Sequence, residues 1–346
     1  MKRFFQWMIR HRSALCTALI LGVSTAFLLE HLAFPFLLRD TTAVGGDTPA
    51  HNYLASHLET QLLHQGRIVS WAPGWWCGFP VFQFYFPLPY LLMALMDILL
   101  PFNLAFKWGS ILGILLMPLC AWGAGRLMRL SSPTPWLLAL ASLLALFVKT
   151  HTMWGANIYS TLAGMIANSI SFPLMLLFLA AAWRDADDER FRIRTVILFA
   201  AVLGTHFFTA LLAGLTVAIY PLLRWPRVRR TALILAGEGA LAVALMAWWL
   251  IPLVLKNQFS VDFGDNWRNS LGSTMPEYAP YLLPAAGAGI ALAVMRNCRP
   301  VLAFAWLGLA GTLLYMFGNR LTPVFVNVRF WPFIFFSFLA LAACGA

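Results

Sequence analysis

Asp47 and His51 stand four residues apart in GGDTPAHNYL, residues 45–54. That spacing sets a carboxylate and an imidazole on one side of a helix start. Such a pair can take a proton from a hydroxyl, with the carboxylate as general base and the imidazole as its orienting partner. It could also give two ligands to a divalent metal (Mg or Mn), with Asp40 or Glu59 completing the set. Thr48-Pro49 reads as the first turn of that helix, because proline is tolerated there and an Asp or Thr just before it can cap free N–H groups. A capping Asp47 beside an incidental His51 is the plainer alternative.

The elements that hold these residues belong to a membrane. The chain has 346 residues, of which 61% are hydrophobic and only 11% charged, against about 25% charged in soluble domains. This predicts an all-α polytopic integral membrane protein. Lys and Arg number 24 against 13 Asp and Glu. In a membrane protein that excess reports loop orientation, and no nucleic-acid-binding motif supports a nucleic-acid partner. The five scattered cysteines form neither a disulfide framework nor a zinc pattern.

MKRFFQWMIRHRS precedes an apolar run, as a signal peptide's charged region would. The run continues through LAFPFLL to Leu38 without a clear A-x-A site, so we read an uncleaved first span with a cytoplasmic N-terminus. The other basic clusters are Arg126 and Arg129, Arg184 to Arg194, RWPRVRR at 224–230, and Arg296 with Arg299. Placing all of them inside puts 16 of the 24 basic residues in the cytoplasm. That requirement lays residues 86–102, which contain Asp97, along the outer interface rather than across the membrane. It also divides 195–223 into two short helices meeting near His206. About ten transmembrane helices result, at roughly 14–38, 108–128, 134–149, 160–183, 195–206, 208–223, 231–254, 279–295, 301–317 and 330–346. The chain stops at ACGA within its last apolar run, which we expect reflects C-terminal truncation of one domain spanning 1–346. The charged run RDADDERFRIR, 184–194, reads as a solvated turn without chemistry.

Residues 39–107 then form a large first extracytoplasmic loop. A helix over 49–64, ended before Gly66, places His51 with Leu54, Ala55, Leu58 and Leu62 on one face. His57 and His64 lie opposite as solvated histidines. Trp71, Trp75, Trp76, Phe79, Phe82, Phe84, Tyr85 and Phe86 follow among Gly and Pro, too irregularly for an amphipathic helix. They make either an aromatic belt at the membrane surface or a platform over a cleft for a lipid or sugar, with Trp75, Trp76 and Tyr85 as contacts. External cations are Lys256, Arg268, Arg320 and Arg329. Arginine forks match phosphate oxygens, which favours Arg329 in VRFWPF, then Arg320, although snorkelling to lipid headgroups would explain both. His206 at a helix break is a functional candidate or a satisfier of freed backbone groups. Glu30 and His31 are placed near the same cavity, and Glu238 has no assigned role.

Three groups of residues carry a resemblance. GD-x-x-x-H at 46–51, GR-x-x-x-W at 66–71 and GWWCGFPVFQFYFPLPYLL at 74–92 resemble the first external loop of the membrane proteins termed 6-pyruvoyl-tetrahydropterin synthase-related. NIYSTLAGMIANSISFPL at 157–174, GTHFFTAL at 204–211 and VRFWPFIFFSFLALAA at 328–343 are similar to later blocks of that family, in the same order. Many relatives carry an acidic residue where this chain has Met165. The layout is similar to that of GT-C glycosyltransferases. The resemblance implies a transferase acting in the bacterial inner membrane and cell envelope. Its donor would be a polyprenyl-phosphate sugar lipid, its base Asp47 with His51 beside it, its phosphate ligands Arg329 and then Arg320, and His206 a further substrate-binding residue. A lipid or glycan flippase and a non-catalytic assembly subunit are the competing expectations. Oligomeric state, sugar and acceptor are not implied.

Overall fold

The computed structural model describes residues 2–75, 77–150, 152–261, 279–322 and 324–345. Trp76 and Arg268 lie outside the described residues. Helices dominate: α1 (Lys2–His31), α2 (Phe34–Leu37), α3 (Thr48–His57), α4 (Leu88–Asp97), α5 (Phe102–Leu127), α6 (Thr134–Leu146), α7 (Ile158–Leu162) and α8 (Ile166–Asp188) come first. Then follow α9 (Ile193–Thr205), α10 (Phe207–Ala218), α11 (Tyr220–Leu223), α12 (Val228–Leu245), α13 (Ala247–Leu255), α14 (Ala279–Met295), α15 (Arg299–Leu321) and α16 (Trp331–Gly345). Among the described residues one hairpin, β1 (Ser70–Ala72) with β2 (Phe79–Val81), pairs antiparallel with Trp71 opposite Pro80.

Among the described residues, five helical segments are long and apolar enough to cross a membrane: Arg12–His31, Phe102–Leu127, Ile166–Asp188, Arg299–Leu321 and Asn327–Gly345. A bilayer core of about 30 Å needs about 20 residues, and those segments have them. The other expected crossings are shorter, and two are redrawn. The span expected at 231–254 bends by 77° between α12 and α13, giving a sixth crossing only if the pair counts as one. The span expected from 160 begins at Ile166, because α7 and the turn at 163–165 form a separate cap. The run 195–223 does divide at His206, between α9 and α10. Residues 88–97 form a ten-residue helix, about 15 Å long and so too short to span.

α5 and α8 form the centre of the bundle, with α6, α9, α10 and α16 packed around them. They approach so closely that a Cβ on Gly113 would lie 2.2 Å from the carbonyl oxygen of Ser169. Without a hydrophobic drive between helices in lipid, such small-residue contacts let backbones pack against each other. Residues 39–101 fold back over one end of the bundle around a separate small core. Leu54, Leu58 and Leu62 meet Val81, Tyr90, Met93, Phe106 and Ile166 there. The helix started at Thr48 continues through a π turn and a 3-10 turn to Gln65 and stops at Gly66, which adopts φ +65.

The opposite end gathers charge. Asp187 pairs with Arg224 at 2.8 Å and Arg129 at 3.4 Å, and Glu189 pairs with Arg227 and Arg230, each at 2.9 Å. Arg299 donates to the carbonyl of Leu223 at 3.0 Å. Four basic clusters expected on one side therefore share one end of the bundle. The run 184–194 is not a solvated turn. Asp185 is 0% exposed and bound by Arg192 at 2.5 Å, Arg194 at 3.0 Å and the Thr195 hydroxyl. Its neighbour Asp188 holds Arg192 at 2.6 Å. Glu238 joins this network by accepting the Arg192 backbone N–H at 2.8 Å, which ties α12 to the start of α9.

Candidate functional site

Asp47 sits at the N-terminus of α3 without capping it, since its carboxylate accepts no hydrogen bond from the first turn. What fixes its position is the turn between α7 and α8. The Asp47 N–H donates to the carbonyl of Ala163 at 2.9 Å, and the Thr48 hydroxyl donates to that of Leu162 at 3.0 Å. The two strands of chain touch through glycines in the left-handed region. Gly46 has φ +50, and a Cβ there would fall 2.4 Å from the Ala163 carbonyl oxygen. Gly164 has φ +111, and its Cβ would fall 2.8 Å from Cβ of Asp47 and 3.1 Å from Cδ2 of His51. GGD and LAG are therefore two halves of one junction, which leaves the Asp47 side chain exposed.

His51, one turn along α3, is 6% exposed. Its Nδ1 lies 2.5 Å from the Tyr90 hydroxyl, and its ring N–H donates to the backbone carbonyl of Gly164. Burial drives the imidazole down to about 4, against the pull of the Asp47 charge. The ring is neutral near pH 7, with both nitrogens engaged inside the protein. His51 thus packs α3 against α4 and the α7–α8 turn, and it orients the segment that carries Asp47.

Asp47 and His51 line a cavity of about 620 Å³ with Trp75, Tyr85, Phe86, His206 and Arg329. Met165 also lines it. Aromatic rings pass inward from the loop: Phe86 lies 5.1 Å from His206 and 5.9 Å from Trp249. The Trp249 indole N–H donates to the Phe82 carbonyl at 2.9 Å. This holds Phe82 at φ +59, where non-glycine residues are costly, and so aims the following aromatics. Desolvation pushes the Tyr85 phenol up to about 12, within the fields of Arg329 and Asp47. It stays protonated at working pH.

Arg329 opens the last span from a 3-10 turn and is partly buried. Its Nη1 donates to the carbonyl of Met153 at 2.6 Å, and among the described residues no carboxylate pairs with it. A half-buried guanidinium with no carboxylate partner beside a cavity can bind an anion through its remaining N–H groups without first giving up an ion pair. His206 ends α9, and its Nδ1 accepts the Thr209 N–H at 3.3 Å.

Several expected participants lie elsewhere. Arg320 is exposed and stacks over Phe317 at 5.2 Å, away from the cavity, because it ends α15 rather than beginning α16. His31 faces a different cavity, of about 410 Å³, that contains Lys107, while Glu30 is exposed. Asp40 accepts from Asn103 at 2.8 Å, and Glu59 lines a groove with His64 and Asp97. Neither joins Asp47. Among the described residues no group of three or more His, Cys, Asp or Glu gathers to hold a metal ion. With both His51 nitrogens engaged, the donor set does not fit a divalent metal there. His57 is also not simply solvated, since it stacks on Tyr53 with ring centroids 5.7 Å apart. The sequence reading overlooked Tyr90, Gly164, Asn168 and Thr209. The signals available were a buried amide in an apolar helix and a glycine beside the candidate block.

A helical bundle with segments long and apolar enough to cross a membrane, and an aromatic-lined cavity beneath a loop, defines a membrane protein. More particularly, the chain belongs to the 6-pyruvoyl-tetrahydropterin synthase related family of membrane proteins, whose family model matches residues 82–344. Neither a search of curated proteins nor one of solved structures returns a match.

Proposed function

We propose that this protein is a GT-C-type glycosyltransferase of about ten crossings, with a cytoplasmic N-terminus in a bacterial inner membrane. It transfers a sugar from a polyprenyl-phosphate-linked donor to an acceptor on the outer side. The observation that carries this reading is the presence of Asp47 and Arg329 on the wall of one 620 Å³ cavity. The acceptor hydroxyl gives its proton to Asp47 as its oxygen bonds the anomeric carbon. The bond from that carbon to the phosphate oxygen breaks, and the phosphate leaves with the electron pair toward Arg329. His206 adds a hydrogen bond, and Trp75 and Tyr85 bound the sugar. Purified protein with lipid-linked donor tests this. Asp47→Asn should lower turnover by about 10²–10⁴-fold, the usual share of a positioned base, with donor binding kept. Arg329→Ala should weaken donor binding by about 10–100-fold, as loss of a charge-assisted hydrogen bond does, whereas Arg320→Ala should change neither. Full transfer by Asp47→Asn removes that carboxylate from the mechanism.

A second reading, a lipid or glycan flippase, draws on the helix break at His206 and the 77° bend before α13, since interrupted helices also mark transport sites. Movement of the lipid across vesicles without bond formation would favour it.

A further inference from the structure

The surroundings of His206 settle which of its nitrogens carries the proton. Its Nδ1 receives the backbone N–H of Thr209 at 3.3 Å, has the Thr209 hydroxyl at 2.8 Å, and has the Asn168 amide nitrogen at 3.4 Å. A backbone N–H can only donate, and so can an amide NH2. A proton on Nδ1 would face both, so Nδ1 must present its lone pair. The Thr209 hydroxyl then donates as well. Ser171 stands 2.9 Å from that hydroxyl and 2.9 Å from the backbone carbonyl of Asn168, and its one proton serves either acceptor in turn. All four residues are buried, from 0% to 4% exposed.

A ring so held is neutral, carries its proton on Nε2, and has no free lone pair to act as a base. It lines the same cavity as Arg329, beside Phe86 and Phe208. It also stands at the N-terminus of a 12-residue helix, whose free N–H groups favour an anion. Three features thus face the same kind of ligand: a guanidinium, a neutral N–H donor and a helix start.

We propose that His206 is a fixed hydrogen-bond donor to a phosphoryl oxygen, with Thr209 as the positioning residue that sets its tautomer. This rests on the reading that the cavity takes a phosphate-linked lipid, but it does not require that a sugar be transferred. It assigns His206 to the leaving phosphate and removes it as an alternative base to Asp47.

The test uses the full chain in detergent micelles with ring nitrogens of histidine labelled by 15N, the His206 signals being assigned by their loss in His206→Gln. The expected spectrum has an unprotonated, pyridine-type Nδ1 and a protonated, pyrrole-type Nε2. Polyprenyl phosphate added in mixed micelles should shift Nε2 and leave Nδ1 in place. Inorganic phosphate alone should act on the same signal, only at higher concentration if the lipid tail contributes. Thr209→Val, nearly constant in volume, keeps the backbone N–H, so Nδ1 should stay unprotonated while the ring loses one donor and polyprenyl phosphate binding weakens by about fivefold, the worth of one hydrogen bond. Thr209→Ser should restore binding. A proton on Nδ1 in the wild-type protein, or an Nε2 signal indifferent to saturating polyprenyl phosphate, overturns the assignment. Nε2 responding while no sugar transfer can be detected would count against the enzyme reading and uphold this one.

Discussion

Gly164 offers a perturbation whose size can be worked from geometry. Its φ of +111 lies where side chains are strained, and a methyl group added there would sit 2.8 Å from Cβ of Asp47 and 3.1 Å from Cδ2 of His51. Comfortable carbon contacts are about 3.5–4.0 Å, so Gly164→Ala must push the Asp47 segment away by about 0.7 Å or more. The backbone strain alone costs about 1–3 kcal/mol. A displacement near 1 Å at a reacting group can lower a rate by about 10²-fold. The variant should therefore lose about 10–100-fold in transfer and unfold at a lower temperature in detergent, with donor binding reduced far less than turnover. Gly22→Ala is the control, because a Cβ on Gly22 in α1 meets nothing within 4 Å. Wild-type rate and melting temperature in Gly164→Ala would refute the argument that this junction positions Asp47.

Two further outcomes follow from burial. Because burial lowers the His51 imidazole from 6.5 to about 4, the folded protein resists a proton that the unfolded chain accepts. The neutral ring is no handicap above pH 6.5, and stability falls as pH drops from 6.5 toward 4, by up to about 3 kcal/mol in total. The stability difference between wild type and His51→Gln should shrink across that interval in denaturant titrations, and a difference independent of pH would contradict the assignment. At the other end of the bundle, Asp185→Ala leaves Arg192 and Arg194 without their buried partner and should cost about 3–5 kcal/mol, seen as loss of folded protein from the membrane. Asp187→Ala, at 30% exposure, should cost under about 1 kcal/mol. Equal effects would mean that burial does not govern this network.

Much of the frame was open to sequence reasoning because it follows from local chemistry. Apolar length marked the five long spans, and the buried face of the helix from Thr48 followed its 3.6-residue period, ending at Gly66 as a left-handed stop. The break at His206 came from requiring that RWPRVRR lie beside the other basic clusters. The site was less legible. His51 looked like a partner for Asp47, yet Tyr90 and Gly164, 39 and 113 positions away, take both its nitrogens. Arg320 and Arg329 were alike as external cations. Their separation depends on which end of a helix each occupies. Asp185, in what looked like a solvated charge run, is buried because α9 turns back directly over it.

By itself, the sequence determined that this chain is a helical membrane protein and roughly where its long apolar segments lie. Those are consequences of transfer free energy and backbone preference, which each segment expresses alone. Only the tertiary structure decided that Asp47, His206 and Arg329 share a wall while Asp40, Glu59, His31 and Arg320 do not. That choice depends on contacts between segments more than a hundred residues apart, made where glycines allow two backbones to touch. No local pattern encodes such an approach.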